Sequence, residues 1–123
     1  MLAKTNRLKK EGDFKKILRN GKLFKGETLT LRIAQNDLAK VRAGISVSKK
    51  ISKKATLRNK QKRRLASLLR AEMPKIKTGL DLFLVARPGL QDKSFQETKK
   101  ICQDLFIKAN IFKNDKKNYT ENN

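Results

Sequence analysis

Histidine is absent from the 123 residues, and only 11 side chains are acidic against 32 lysines and arginines. Without histidine the chain loses the commonest general base and metal-binding group active near neutral pH. A lone cysteine, Cys102, excludes an internal disulfide and a cysteine-built zinc site. No glycine-rich phosphate loop is present, and no Ser-His or Cys-His pair is possible. The carboxylates are scattered, which disfavours a site holding two catalytic metal ions. No apolar run approaches the ~18 residues of a membrane span, and no hydrophobic signal segment opens the chain. Together these absences predict a cytoplasmic protein that breaks no bonds with its own side chains.

Positive charge dominates what is there. The formal net charge is +21 and the isoelectric point near 10.5. A compact domain carrying that much like charge repels itself and calls for a polyanion. Nucleic acid fits best, because lysine and arginine set against phosphate release condensed counterions. Apolar residues make up 37 % of the chain, enough for one modest core and too few for a large buried active-site cavity.

Periodicity predicts the elements. Residues 1–9 are basic and aperiodic and read as a flexible arm. Phe14, Ile17 and Leu18 sit at i, i+3, i+4 and predict a short helix over 10–19, stopped by Asn20-Gly21. Leu29, Leu31 and Ile33 alternate with Thr28, Thr30 and Arg32, the pattern of a half-buried strand. After a polar turn, Val41, Ala43, Ile45 and Val47 alternate likewise, predicting a second strand paired antiparallel with the first. Leu57, Leu65, Leu68, Leu69 and Met73 fall on one side of a helix that Pro74 ends. The run Leu80 to Ala86 predicts a central strand covered on both faces, completing a βαβ unit. Ser94 and Glu97 form a capping-box pattern ahead of a last helix bearing Phe95, Ile101, Cys102, Leu105, Phe106, Ala109 and Phe112, with polar Thr98 on the same line. Cys102 is therefore expected to act as a small buried hydrophobe. The order is helix, strand, strand, helix, strand, helix: one α+β domain over 1–112, helices packed on a small mixed sheet, and a polar, disordered tail over 113–123.

The charge is concentrated. Of the sixteen residues from Lys49 to Arg64, nine are basic and none is acidic. A merely solvated helix usually intersperses acids for i, i+4 pairing. Here Lys60, Arg63 and Arg70 lie along one ridge with Asn59 and Ser67, Arg58 and Lys62 stand at its edge, and Lys49, Lys50, Lys53 and Lys54 precede it. Arginine forks match phosphate oxygens, and Asn59 adds a donor and an acceptor for a 2′-hydroxyl or base edge. Composition does not separate RNA from DNA.

Four motifs in order resemble the bacterial ribonuclease P protein family over roughly residues 5–112. They are Asn6-Arg7-Leu8 followed by Asp13-Phe14, Gly44-Ile45-Ser46-Val47-Ser48-Lys49-Lys50, Arg58-Asn59-Lys60-Gln61-Lys62-Arg63, and Gly79-Leu80-Asp81 leading through the apolar run to Ala86-Arg87-Pro88. The resemblance implies a ribosomal protein S5 domain 2-like α+β fold with a left-handed βαβ crossover. It implies an accessory subunit of an endoribonuclease that removes the 5′ leader of precursor tRNA, with catalysis in the RNA subunit and Mg²⁺ held mainly by that RNA. Partners would be the catalytic RNA and precursor tRNA, with no membrane and no further protein required. Lys49, Lys50, Lys53, Lys54, Arg58, Asn59, Lys60, Lys62, Arg63 and Arg70 would contact the catalytic RNA. Arg7, Phe14, Leu18, Arg32, Ser46, Ser48 and Arg87 would contact the leader or precursor tRNA, Phe14 by stacking on a base, typically worth ~1–3 kcal/mol. The spacing of Phe14 fits core packing equally well. The chain departs from the family pattern at Lys60, which replaces an arginine, at Ser52-Lys53-Lys54, where a glycine is usual, and at Leu18 and Arg32, where aromatics are frequent. A ribosomal or assembly protein of similar fold, and an intrinsically active nuclease, are the competing readings.

Overall fold

The computed structural model describes residues 6–8 and 11–113. Helix α1 (Glu11–Asn20) is followed by strands β1 (Lys22–Lys25), β2 (Leu29–Gln35) and β3 (Arg42–Val47), helix α2 (Ala55–Glu72), strand β4 (Leu80–Ala86) and helix α3 (Phe95–Lys108). Single 3₁₀ turns occupy Met73–Lys75, where Pro74 ends α2 as expected, and Leu90–Asp92. The strands form one mixed sheet in the order β1-β2-β4-β3.

That order corrects one expectation. The two alternating segments, now β2 and β3, do not pair; β4 lies between them, antiparallel to β2 and parallel to β3. The reason is burial. The run LDLFLVA is the most apolar of the strands, so it takes an inner position with a strand on each edge, and the α2 crossover delivers it parallel to β3. The expected cover on both faces is incomplete, because Phe83 and Val85 on its second face stay half-exposed. The segment after β2 passes the start of β4 instead of turning back: Asn36 N–H donates to Gly79 O at 2.9 Å, and Gly79 N–H to Lys40 O at 3.0 Å. Strand β1 was not expected. Its sequence KLFK is polar apart from Leu23 and Phe24, only Phe24 is partly buried, and the strand exists because β2 offers it an edge. The expected flexible arm is also partly wrong: Arg7 bridges Ala43, and Leu8 is buried with its N–H bonded to Ala43 O at 2.9 Å along the outer edge of β3. Residues 1–5 and 9 of that arm lie outside the described residues, as does the expected tail from 114 onward. Lys113, by contrast, is held by its N–H to Lys75 O at 2.7 Å.

Alternation along the strands divides the apolar residues between two faces. On one, Leu29, Leu31, Ala43, Val47, Leu82 and Leu84 pack against Leu65 and Leu69 of α2 and Leu105 and Phe106 of α3. On the other, a small cluster of Leu8, Ile17, Ala34, Phe14 and Phe83 seats α1. Gly21 lets α1 end directly against β2, since a Cβ there would meet Ile17 O at 2.5 Å and Ile33 O at 2.9 Å. The capping box of α3 forms in full: Ser94 Oγ accepts from Glu97 N–H at 3.0 Å and Glu97 Oε1 from Ser94 N–H at 2.8 Å. Thr98, polar on an apolar line, is fully buried and donates its hydroxyl to Ser94 O at 2.9 Å. Three residues placed on apolar faces by spacing are exposed instead, Leu18, Leu57 and Phe95. Leu57 and Phe95 each occupy the first turn of their helix, and Leu18 the last turn of α1.

An ion-pair network ties these parts together. Asp81 of β4 is 1 % exposed. Arg42 of β3 grips it bidentately, Nε to Oδ1 at 2.9 Å and Nη2 to Oδ2 at 2.7 Å, and Asn36 Nδ2 donates to the same Oδ1 at 2.7 Å. The third arm, Nη1, reaches Asp13 of α1 at 3.2 Å. The hydrogen bond that Arg42 donates to Asp81 raises the Arg42 pKa above its already high ordinary value. Replacing Arg42 by alanine strands a buried carboxylate, which costs about 3 kcal/mol, the lower end of the range for a broken buried pair because Arg42 is partly exposed. Asp13→Ala leaves Asp81 paired and costs under about 1 kcal/mol. Urea unfolding of the two variants tests the difference; equal midpoints would remove the pair from its central place.

Cys102 is buried as expected, and burial, with a smaller contribution from the charge of Glu72, pushes its thiol up to about 12. An unfolded thiol ionises near pH 8.5. The folded protein thus holds a proton that the unfolded chain sheds, and this contribution is intact below that pH and lost as pH rises toward 12. We expect no reaction with a thiol reagent at pH 8 until urea unfolds the chain, and a shallower alkaline loss of stability in Cys102→Ala. Rapid labelling of the native protein would contradict this.

Candidate nucleic-acid interface

The first surface is α2 with the loop that leads into it. Two serines shape that loop: Ser48 Oγ accepts from Lys50 N–H at 3.2 Å and Ser52 Oγ from Lys54 N–H at 3.1 Å. Ile51 is buried as a peg, which leaves Lys49, Lys50, Lys53 and Lys54 exposed around it. Lys54 gives α2 no side-chain cap, and the first turn holds no acid. Free N–H groups and the positive end of the helix dipole therefore add to the lysine charge. Asn59, Lys60, Lys62, Arg63 and Arg70 are all exposed on the helix, as the spacing requires. Arg58 behaves differently. It is half-buried and donates from Nη1 to Ser52 O at 2.9 Å, so it braces the lysine loop.

The second surface is the sheet face turned away from α2 and α3. Register lines up three rows across it. Ala34, Asp81 and Arg42 form the row that α1 covers. Next come Leu23, Arg32, Phe83 and Gly44, then Lys25, Thr30, Val85 and Ser46. Beside α1 these two rows make a floor on which Arg32, Phe83, Val85 and Ser46 are all half-exposed. Phe14 closes one side. Its ring meets Phe83 edge-to-face at 5.3 Å and stands over Gly44, where a Cβ would lie 2.8 Å from Phe14 Cε1. That close approach is the physical reason for glycine at the head of GISVSKK. Packing takes one side of the Phe14 ring and leaves it half-buried. Leu18, 52 % exposed, follows on the same helix. Ser48 and Arg87 lie just past the ends of β3 and β4. Lys25, Thr30 and Val85 escaped the sequence analysis, because placing them needs the register of β1 and β4.

The two surfaces meet at the outer edge of β3. Arg7, Phe14 and Gly44 line one cavity of about 200 Å³ together with Lys62 and Ala66 of α2. The Nε of Arg7 is buried there and bonds to nothing within the fold. A larger cavity, about 610 Å³, opens between the C-terminal ends of α1 and α3 and contains none of the RNA-contact residues that the resemblance implies. Among the described residues, no three His, Cys, Asp or Glu side chains gather where a metal ion could bind, and no helix is long and apolar enough to cross a membrane.

Comparison with known proteins agrees with this architecture. A family model described as Ribonuclease P matches residues 2–110. The ribonuclease P protein component of Picosynechococcus sp. is 34 % identical over 111 residues, spanning 90 % of this chain and 96 % of its own. That of Bacillus velezensis is 37 % identical over 113 residues, spanning 91 % and 96 %. Among solved structures, the RNase P protein of Staphylococcus aureus superposes with a TM-score of 0.81 at 28 % identity, covering 87 % of this chain and 97 % of that one. The RNase P protein of Thermotoga maritima gives 0.74 at 29 % identity, covering 80 % and 93 %. The fold, the order of the four motifs and the full-length similarity thus lead to one assignment: the chain belongs to the ribonuclease P protein family.

Proposed function

We propose that this chain, as the protein subunit of ribonuclease P, docks on the catalytic RNA through α2 and its lysine loop and holds the 5′ leader of precursor tRNA on the open sheet face. The observation that carries this reading is the shared cavity at the edge of β3, which joins Lys62 of the basic helix to Phe14 and Arg7 of the cleft. RNA bound on α2 and a single strand in the cleft then lie side by side, the arrangement needed to present a leader to a catalytic RNA.

Each surface suits its polymer. Exposed lysines and Arg63 neutralise the closely spaced phosphates of a folded RNA, and binding gains from counterion release. The cleft is narrower and more mixed: the Phe14 ring and Leu18 offer surface to bases, Arg32 and Lys25 meet phosphates, and Ser46 supplies a hydroxyl. Charge from Arg32 and Lys25 compensates for the aromatics missing at Leu18 and Arg32. Mg²⁺ belongs to the RNA in this reading. Asp13 and Asp81 are both paired with Arg42. In this reading hydrolysis belongs to the RNA, and the protein contributes positioning and charge, in the cytoplasm where tRNA precursors are made.

Reconstitution tests the whole reading. The purified protein should leave precursor tRNA intact alone, and restore correct 5′ cleavage at low Mg²⁺ when mixed with the RNA subunit of the same organism. Cleavage by the protein alone, or no rescue of the RNA, would refute it. Arg63→Ala should weaken assembly and lower the magnitude of the slope of log affinity against log salt by about one, the signature of a lost phosphate contact. An unchanged slope would mean that this face of α2 is simply solvated.

A further inference from the structure

The other flank of α2 carries a feature that phosphate binding along the ridge does not require. Gln61 is 6 % exposed, and its Oε1 is buried with no donor in the fold. A buried amide oxygen left unpaired costs about 1–3 kcal/mol. An apolar side chain of similar size at the same position avoids that cost entirely, so the amide demands an explanation.

Gln61 lines a pocket of about 330 Å³ formed by α2, the loop before it and the turn at Leu90–Asp92. Lys60 and Arg64 flank it, Lys93 lines the same pocket, and Ile51 and Leu57 supply apolar surface. No acidic residue lines the pocket. Lys93 is already engaged, its Nζ on Glu27 at 2.8 Å. Arg64 is held only loosely, Nη1 to Lys93 O at 3.5 Å. Leu57 is 47 % exposed here, the apolar residue that helical spacing had placed in the core.

These groups specify a ligand. Lys60 and Arg64 call for an anion, Leu57 and Ile51 for a flat or apolar body, and Gln61 Oε1 for an N–H or O–H donor. Inorganic phosphate supplies the anion and an O–H, but no flat or apolar body for Leu57 and Ile51. The volume lies at the low end of the ~300–1,000 Å³ typical of small-ligand sites, room for one nucleotide and not for a helix. We propose that this pocket receives one unpaired nucleotide of the ribonuclease P RNA, its phosphate against Lys60 and Arg64 and an amino, imino or 2′-hydroxyl hydrogen donated to Gln61. The inference rests on the reading of α2 as the RNA-docking helix and adds to it a contact with a single flipped-out residue.

Gln61→Leu separates this contact from charge. The variant keeps every cation and should fold with equal or higher thermal stability, because an unpaired buried amide is gone. It should bind the RNA subunit about three- to tenfold more weakly, the loss of one hydrogen bond, with an unchanged salt slope. Gln61→Met, with its unbranched stem, serves the same comparison if the leucine variant fails to fold. Binding as tight as wild type by the folded variant overturns the inference while leaving the docking role of α2 intact. Failure of the wild-type protein to bind that RNA overturns both. As a direct probe, nucleoside monophosphates should shift the Gln61 side-chain amide resonance where inorganic phosphate at the same concentration does not; an equal shift from phosphate alone would identify a simple anion site and reject the nucleotide.

Discussion

A carboxylate buried at the start of the central strand must be matched by a cation, and Asp81 is matched by Arg42 from the neighbouring parallel strand. Much of the fold follows from that one demand. The bidentate grip pins β3 to β4 in register, Asn36 brings the long connection from β2 across the end of β4, and the third arm of the guanidinium reaches Asp13 and holds α1 to the sheet. Where α1 sits decides which rows of the sheet stay open. A single ion pair, three elements wide, thus defines the cleft.

The remaining charge is handled by separation. A chain of net charge +21 pays for compaction in self-repulsion, and the described ion pairs take up only a few of its cations. The densest group of cations projects outward from the loop at Lys49–Lys54 and along α2, while Leu29, Leu31, Leu82 and Leu84 of the sheet stay inside. A polyanion bound there relieves the repulsion as well as forming contacts, so binding and folding stability favour the same state. Arg58 stands apart from its neighbours because its bond to Ser52 O holds the lysine loop against the helix, a structural duty inside a basic motif.

Much of this was legible in advance because it depends on near neighbours. Helices α1, α2 and α3 follow from apolar spacing, the capping box from Ser94 and Glu97, and the basic ridge from residues three and four apart. Strand β1 was missed because four residues with one half-buried side chain carry no alternation to read. The pairing of β2 with β3 was mistaken because adjacency in sequence favours a hairpin, whereas burial of LDLFLVA favours an inner place for β4. Leu57, which spacing placed in the core, is exposed, since helical phase specifies a side and not how far the neighbouring elements extend along it.

Taken alone, the sequence determined the excess of positive charge, the helix that carries the densest part of it, and the alternation that separates core from surface. These depend on composition and on short-range spacing, which the backbone geometry of helix and strand converts directly into faces. Only the tertiary structure decided which face of the sheet stays open, that Arg7 and Lys62 share a cavity, and that Gln61 looks into a pocket. Those facts join residues tens of positions apart, and their juxtaposition is set by the competition among all apolar segments for the interior and by the single cation that Asp81 requires.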